Sequence, residues 1–156
     1  SQTTGQLKSG NPVTDVILLG VKKEAEKRGI AFRSAFYYPT GSHVDAFDIS
    51  VVLNNALQNA LENAAKSEKE NGKTYICVRS YRRNNAYMIE VRNSFPGTVQ
   101  WDAPNGLPVT SKGKKDSQSH GYGLANIRRV AGKYSGDIAV DIREGEFCLN
   151  IMLMME

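Results

Sequence analysis

Asn54, Asn55, Asn59 and Asn63 fall within one short stretch, LNNALQNALENAA, residues 53–65. At about 100° of rotation per residue, Asn55, Asn59, Glu62 and Lys66 share a narrow arc of a helix, opposite Leu53, Leu57, Ala60 and Ala64. A solvated helix face is one reading of that arc, because surface helices carry polar faces. Asparagine, however, is a weak helix former, and Lys, Glu or Gln would serve solvation better. Such a local inconsistency marks functional positions. The amide carbonyl is a hard oxygen donor suited to a magnesium ion that keeps most of its waters and bridges phosphates.

A second candidate is HGYGLANIRRV, residues 120–130, in which Gly121 and Gly123 precede a helical pattern. Glycines there let backbone N–H groups approach an anion, and a helix start supplies free amides and the positive end of its dipole. The stretch lacks the third glycine of the dinucleotide-binding fingerprint and the G-K-[ST] of the P-loop, so a plain loop remains the alternative. Asn93 and Ser94 end a strand-like run, where they read either as turn residues or as partners for the edge of a base. Ser111-Lys112-Gly113-Lys114-Lys115 offers mobile point charges suited to phosphate, or a solvated loop.

These residues need elements to hold them. Asn11-Pro12 reads as a helix start, with Val13, Val16, Ile17, Val21 and Ala25 at helical spacing until Gly29. Residues 30–38 read as a strand ending at Pro39. Asp45 or Asp48 caps the next helix, whose stripe is Ile49, Val52, Leu53, Ala56, Leu57, Ala60, Leu61 and Ala64. Strands over 74–82 and 86–92 join around Asn84-Asn85. Residues 94–119 show no periodicity and hold three of the five prolines, the pattern of a functional lid or a disordered stretch. A helix from about Leu124 to Tyr134 follows, then a stop at Gly136 and strands over 137–143 and 146–154. The order predicts an α+β protein with helices on one face of a mostly antiparallel sheet.

The chain of 156 residues is sized for a single domain over 11–156 behind a polar tail, residues 1–10, with the lid at about 94–120. The tail lacks the apolar core of a signal peptide, and no apolar run approaches the roughly 20 residues of a spanning helix. A net charge of +4 permits a polyanion partner, yet the basic residues are dispersed and argue against nucleic acid. Cys77 and Cys148 lie in strand-like runs without metal-ligand spacing and read as buried, reduced thiols of a cytosolic protein.

In order, LNNALQNALENA, VRNS, a long lid with SKGKKD, and HGYGLANIRRVAGKYSGDI closely resemble the ATP-binding catalytic domain of sensor histidine kinases of the GHKL superfamily. Within it the chain looks most like the quorum-sensing, peptide-responsive receptors. The resemblance covers nearly the whole chain. It implies the Bergerat fold, a two-layer α/β sandwich whose mixed, mostly antiparallel sheet is covered on one face by about three helices. It implies ATP and Mg2+ as ligands. Asn55 and Asn59 fall on the family's two catalytic asparagines, Asn59 on the one that ligates magnesium. Asn93 falls where most members have an aspartate that accepts from the adenine amino group, with Ser94 beside it. Gly121, Gly123 and Leu124 match the second glycine box, and Lys112 and His120 lie in the lid near the phosphates, though a structural role for His120 is equally open.

The D-x-G-x-G box is replaced by Asn93-Ser94-Phe95-Pro96-Gly97. Relatives that hydrolyse ATP carry a glutamate base where this chain has Asn55, and asparagine cannot take a proton from water. Transfer to a histidine needs no such base, because neutral imidazole is already a nucleophile. Neither His43 nor His120 sits in a dimerising hairpin, so the resemblance implies that the acceptor histidine lies on upstream helices of a membrane-anchored bacterial receptor. Its partners are those helices and a response regulator; the domain itself is cytoplasmic and touches no membrane. A docking module of the same fold with little turnover, or a serine kinase of the anti-sigma type, are the alternatives.

Overall fold

The computed structural model describes residues 7–71, 73–97, 100–102, 107–109 and 114–156. The elements run α1 (Pro12–Lys27), β1 (Ala31–Ala35), α2 (Ala46–Asn71), β2 (Tyr75–Arg83), β3 (Ala86–Ser94), β4 (Gln100–Asp102), β5 (Leu107–Val109), α3 (Lys114–Lys133), β6 (Asp137–Arg143) and β7 (Glu146–Met154). Five strands form one sheet in the order β1-β2-β3-β7-β6. β1 runs parallel to β2 and every other neighbour is antiparallel, so the sheet is mixed as expected. β4 and β5 make a separate hairpin.

Alternation decides which sheet face is covered. Ile76 and Val78 on β2, Tyr87, Ile89 and Val91 on β3, and Phe147, Leu149, Ile151 and Leu153 on β7 are all buried. Against them pack Ile49, Val52, Leu53, Ala56, Leu57, Ala60, Leu61 and Ala64, the full apolar stripe read from the sequence of α2. The opposite face carries residues that are half-buried or exposed. Arg33, Cys77, Arg92, Cys148 and Asp141 share one register row there. Both thiols are free and half-buried, and burial pushes that of Cys148 above its ordinary pKa.

Asn11 caps α1, its Oδ1 accepting from the N–H groups of Val13 at 2.9 Å and Thr14 at 3.1 Å. The core-facing side differs from the expected stripe. Thr14, Leu18, Val21 and Ala25 are buried, whereas Val13 and Val16 are 53% and 70% exposed. Two apolar faces compete on this helix, and the one containing Thr14 can be buried because its hydroxyl donates to the Asn11 carbonyl at 3.1 Å. The end of the expected tail is anchored too. Ser9 is buried, its N–H donates to Asp15, and its carbonyl accepts from the Tyr38 N–H at 2.7 Å. Residues 1–6 lie outside the described residues.

The first two residues of the expected lid, ahead of its prolines, belong to the sheet layer. Ser94 still belongs to β3, and Phe95 is buried with its ring 5.4 Å from that of Phe147. Its N–H donates to the Gly145 carbonyl at 2.9 Å. Within the aperiodic stretch, β4 and β5 pair, and α3 begins at Lys114, ten residues before Leu124. Three-residue strands and a helix start without an apolar stripe leave no periodicity to read.

Candidate functional site

Asn55, Asn59, Asn63 and Ser67 are spaced by four along α2, and each step of four turns about 40° around the axis. The ridge therefore winds from the outer arc toward the core. Asn55 and Asn59 are half-buried, Asn63 is 6% exposed, and Ser67 is 1% exposed. Asn63 donates from Nδ2 to Asn59 Oδ1 at 3.3 Å. The Ser67 hydroxyl donates to the Ala64 carbonyl at 2.8 Å and shares a 2.9 Å hydrogen bond with Ser94 Oγ, which also accepts the Tyr75 N–H at 3.1 Å. A polar seam thus joins the asparagine face of α2 to the end of β3.

Asn93 occupies the inward row of that strand, continuing Tyr87, Ile89 and Val91, where alternation calls for an apolar residue. It lies in register with Ile76 and Phe147 and is 1% exposed. Its Nδ2 donates to the Ser94 carbonyl at 2.8 Å, which uses one of its two N–H donors. Burying a primary amide in an apolar layer is costly unless it has partners, and this one sits beside a seam of hydroxyls and amides.

The two glycines take a different place from the one expected. α3 passes through both, so their amides lie within the helix and not at its start, where N–H groups are free. The run from Lys114 to His120 contains no proline, and each glycine costs a helix interior only about 1 kcal/mol, so the helix continues. Gly123 is half-buried, and an added Cβ would meet none of the described atoms within 4 Å. Leu124 is 4% exposed and joins Ile127, Val130 and Ala131 in the core, so any ligand contact from it would be through the backbone. His120 and Gly121 belong to the same helix, which packs on α2. Lys112 lies outside the described residues.

The other end of α2 is tied to α3. Asp45 caps the helix by accepting the Phe47 N–H at 2.7 Å. Asp48, 6% exposed, accepts from Lys133 Nζ at 2.9 Å and from the Tyr134 hydroxyl, which itself accepts the Asp45 N–H at 3.1 Å. Burial opposes ionisation of Asp48, but the Tyr134 hydroxyl and the Lys133 ammonium outweigh it and hold the carboxyl below its ordinary pKa.

Asn55, Asn59, Asn63, Ser67, Asn93 and Ser94 carry only amides and hydroxyls, groups that ligate and hydrogen-bond but do not exchange protons near neutral pH. Among the described residues no cluster of three or more His, Cys, Asp or Glu could hold a metal ion. A single amide oxygen fits magnesium, which keeps several waters and takes further ligands from a bound phosphate. Asn63 and Ser67 had no assigned part in the sequence reading. Extending the four-residue spacing from Asn59 would have found both, because it is the drift of that ridge that carries them under the helix.

The family model described as GHKL domain matches residues 44–154. Among solved structures, the chain superimposes on the nucleotide-free catalytic domain of the histidine kinase ThkA with a TM-score of 0.70 at 18% identity, covering 95% of this chain and 93% of that one. It superimposes on the Acinetobacter baumannii histidine kinase AdeS with a TM-score of 0.62 at 15% identity, covering 92% of this chain and 64% of that one. Histidine kinase ThkA in complex with the response regulator TrrA gives 0.68 at 19% identity, covering 96% of this chain and 41% of that one. No curated protein sequence matches. Among the described residues no helix is long and apolar enough to cross a membrane.

Proposed function

This chain belongs to the GHKL domain family, and from that premise we propose that it binds ATP with a magnesium ion and passes the γ-phosphoryl group to a histidine. The observation that carries the reading is a pair of polar contacts on the α2–β3 side: Asn63 donates to Asn59 along α2, and Ser67 on α2 bonds Ser94, whose carbonyl accepts from the buried Asn93 on β3. In this reading Asn93 Oδ1 accepts from the adenine amino group, and Asn59 Oδ1 ligates magnesium. Magnesium held there would neutralise charge on the phosphates. Asn55, one turn earlier on the same ridge, faces the phosphates as a donor through Nδ2. Ser94 keeps the strand end in register, and Lys112, His120, Gly121 and Gly123 serve the phosphates.

The acceptor imidazole attacks phosphorus through its unprotonated nitrogen. The N–P bond forms as the bond from phosphorus to the bridging oxygen breaks, and ADP leaves with both bonding electrons. No protein base is needed, which agrees with the neutral ridge. The acceptor belongs to upstream dimerising helices of a receptor, and a response regulator takes the phosphoryl group onward. The motif set, with Asn-Ser-Phe-Pro-Gly in place of D-x-G-x-G, favours the peptide-responsive branch.

Titration with ATP, with and without Mg2+, tests the binding step by calorimetry and by emission of Trp101, the sole tryptophan. Binding should be measurable at or below about 1 mM. No heat and no emission change at that concentration would overturn the reading. Labelled ATP given to the intact receptor should yield an acid-labile phosphoprotein, whereas an acid-stable product would indicate a serine acceptor.

A further inference from the structure

We propose that Asn63 is a positioning residue for the cation, acting through Asn59; this rests on the reading of Asn59 as the magnesium ligand. The terminal torsion of asparagine is broad, so a half-exposed Asn59 alone could present either nitrogen or oxygen outward. Asn63 removes that freedom. Its Nδ2 donates to Asn59 Oδ1 at 3.3 Å from a position only 6% exposed, where water competes little. A carbonyl oxygen has two lone pairs, so one stays engaged by Asn63 while the other remains for a hard cation. An i,i+4 amide pair returns only about 0.2–0.5 kcal/mol to a helix, less than burying a primary amide costs. Leucine or alanine would pack this position at lower cost, so stability does not account for the amide. Orientation of a ligand by its own hydrogen-bond partner does account for it, since such outer partners tune metal affinity.

Calorimetric titration of ATP with and without Mg2+ compares the wild type with Asn63→Ala and Asn63→Leu, the latter keeping the volume without the donor. The gain in affinity that Mg2+ brings should shrink about 10-fold in both variants, while the Mg2+-free affinity stays within about twofold. A structural role would lower both affinities together, and that result, or an unchanged Mg2+ gain, overturns the inference while leaving nucleotide binding intact. A wild type that binds no nucleotide overturns the parent reading along with it. A measurement on the unaltered protein does not depend on how the variants fold. Adding Mg2+ to the ATP-saturated chain should shift the side-chain amide resonances of Asn63 together with those of Asn59. Asn63 signals that do not move would overturn the proposal.

Discussion

The amide of Asn93 is where one atom sets the strength of nucleotide recognition. A neutral acceptor contributes about 0.5–1.5 kcal/mol and a charged one about 1.5–3. Asn93→Asp should therefore tighten ATP binding by about 1 kcal/mol, roughly fivefold, once the introduced carboxyl is ionised. At 1% exposure, burial raises that carboxyl's pKa, so the gain should appear only as pH rises above the raised value. The same shift lowers the variant's stability without nucleotide as pH rises, because a raised folded pKa contributes stability only below it. Calorimetry and thermal unfolding between pH 5 and pH 8 check both signs. Asn59→Ala should cut phosphotransfer by about 100-fold, measured with labelled ATP in the intact receptor, and lower Tm modestly because the buried Asn63 amide loses its acceptor.

Among the elements, two glycines near α3 differ in what they permit. Gly123→Ala should keep the fold and steady the helix by about 1 kcal/mol, since its Cβ has room among the described atoms, and any loss of ATP affinity would then report on the ligand alone. Gly136→Ala should destabilise by about 2–3 kcal/mol in chemical unfolding, because a Cβ there would lie 1.7 Å from the Met152 carbonyl oxygen and force the α3–β6 connection away from β7. The sequence made most elements legible where one periodicity dominated. The stripe of α2, the Asn84-Asn85 hairpin and the final strands appear where the pattern put them. It misled at α1, which has two apolar faces, and at the start of α3, where polar residues carry the helix onward. Asn59 and Asn93 were visible as residue types out of place. Asn63 was visible in the same way, but its role and that of Ser67 were not, since both depend on how far the ridge has turned by the time it reaches β3.

For the molecule as a whole, α2 is the beam that joins α3 to the sheet, and Asp48 sets how that junction responds to acid. Its depressed carboxyl contributes stability in full above the unfolded value of about 3.9, and the contribution disappears as pH falls through the lower folded value. Asp48→Asn should therefore flatten the fall in Tm between pH 5 and pH 3 and lower Tm at pH 7, as followed by circular dichroism. The other end of the beam is fixed by Ser67 on Ser94. Nineteen residues separate the two ties, roughly 28 Å of helix at the α-helical rise. One residue inserted between them would rotate one tie by about 100° relative to the other and strand either Asp48 or Ser67. This helix can therefore accept exchanges of side chain along its length but no change in count, and a length variant should fail to close the domain even if every inserted residue favours helix.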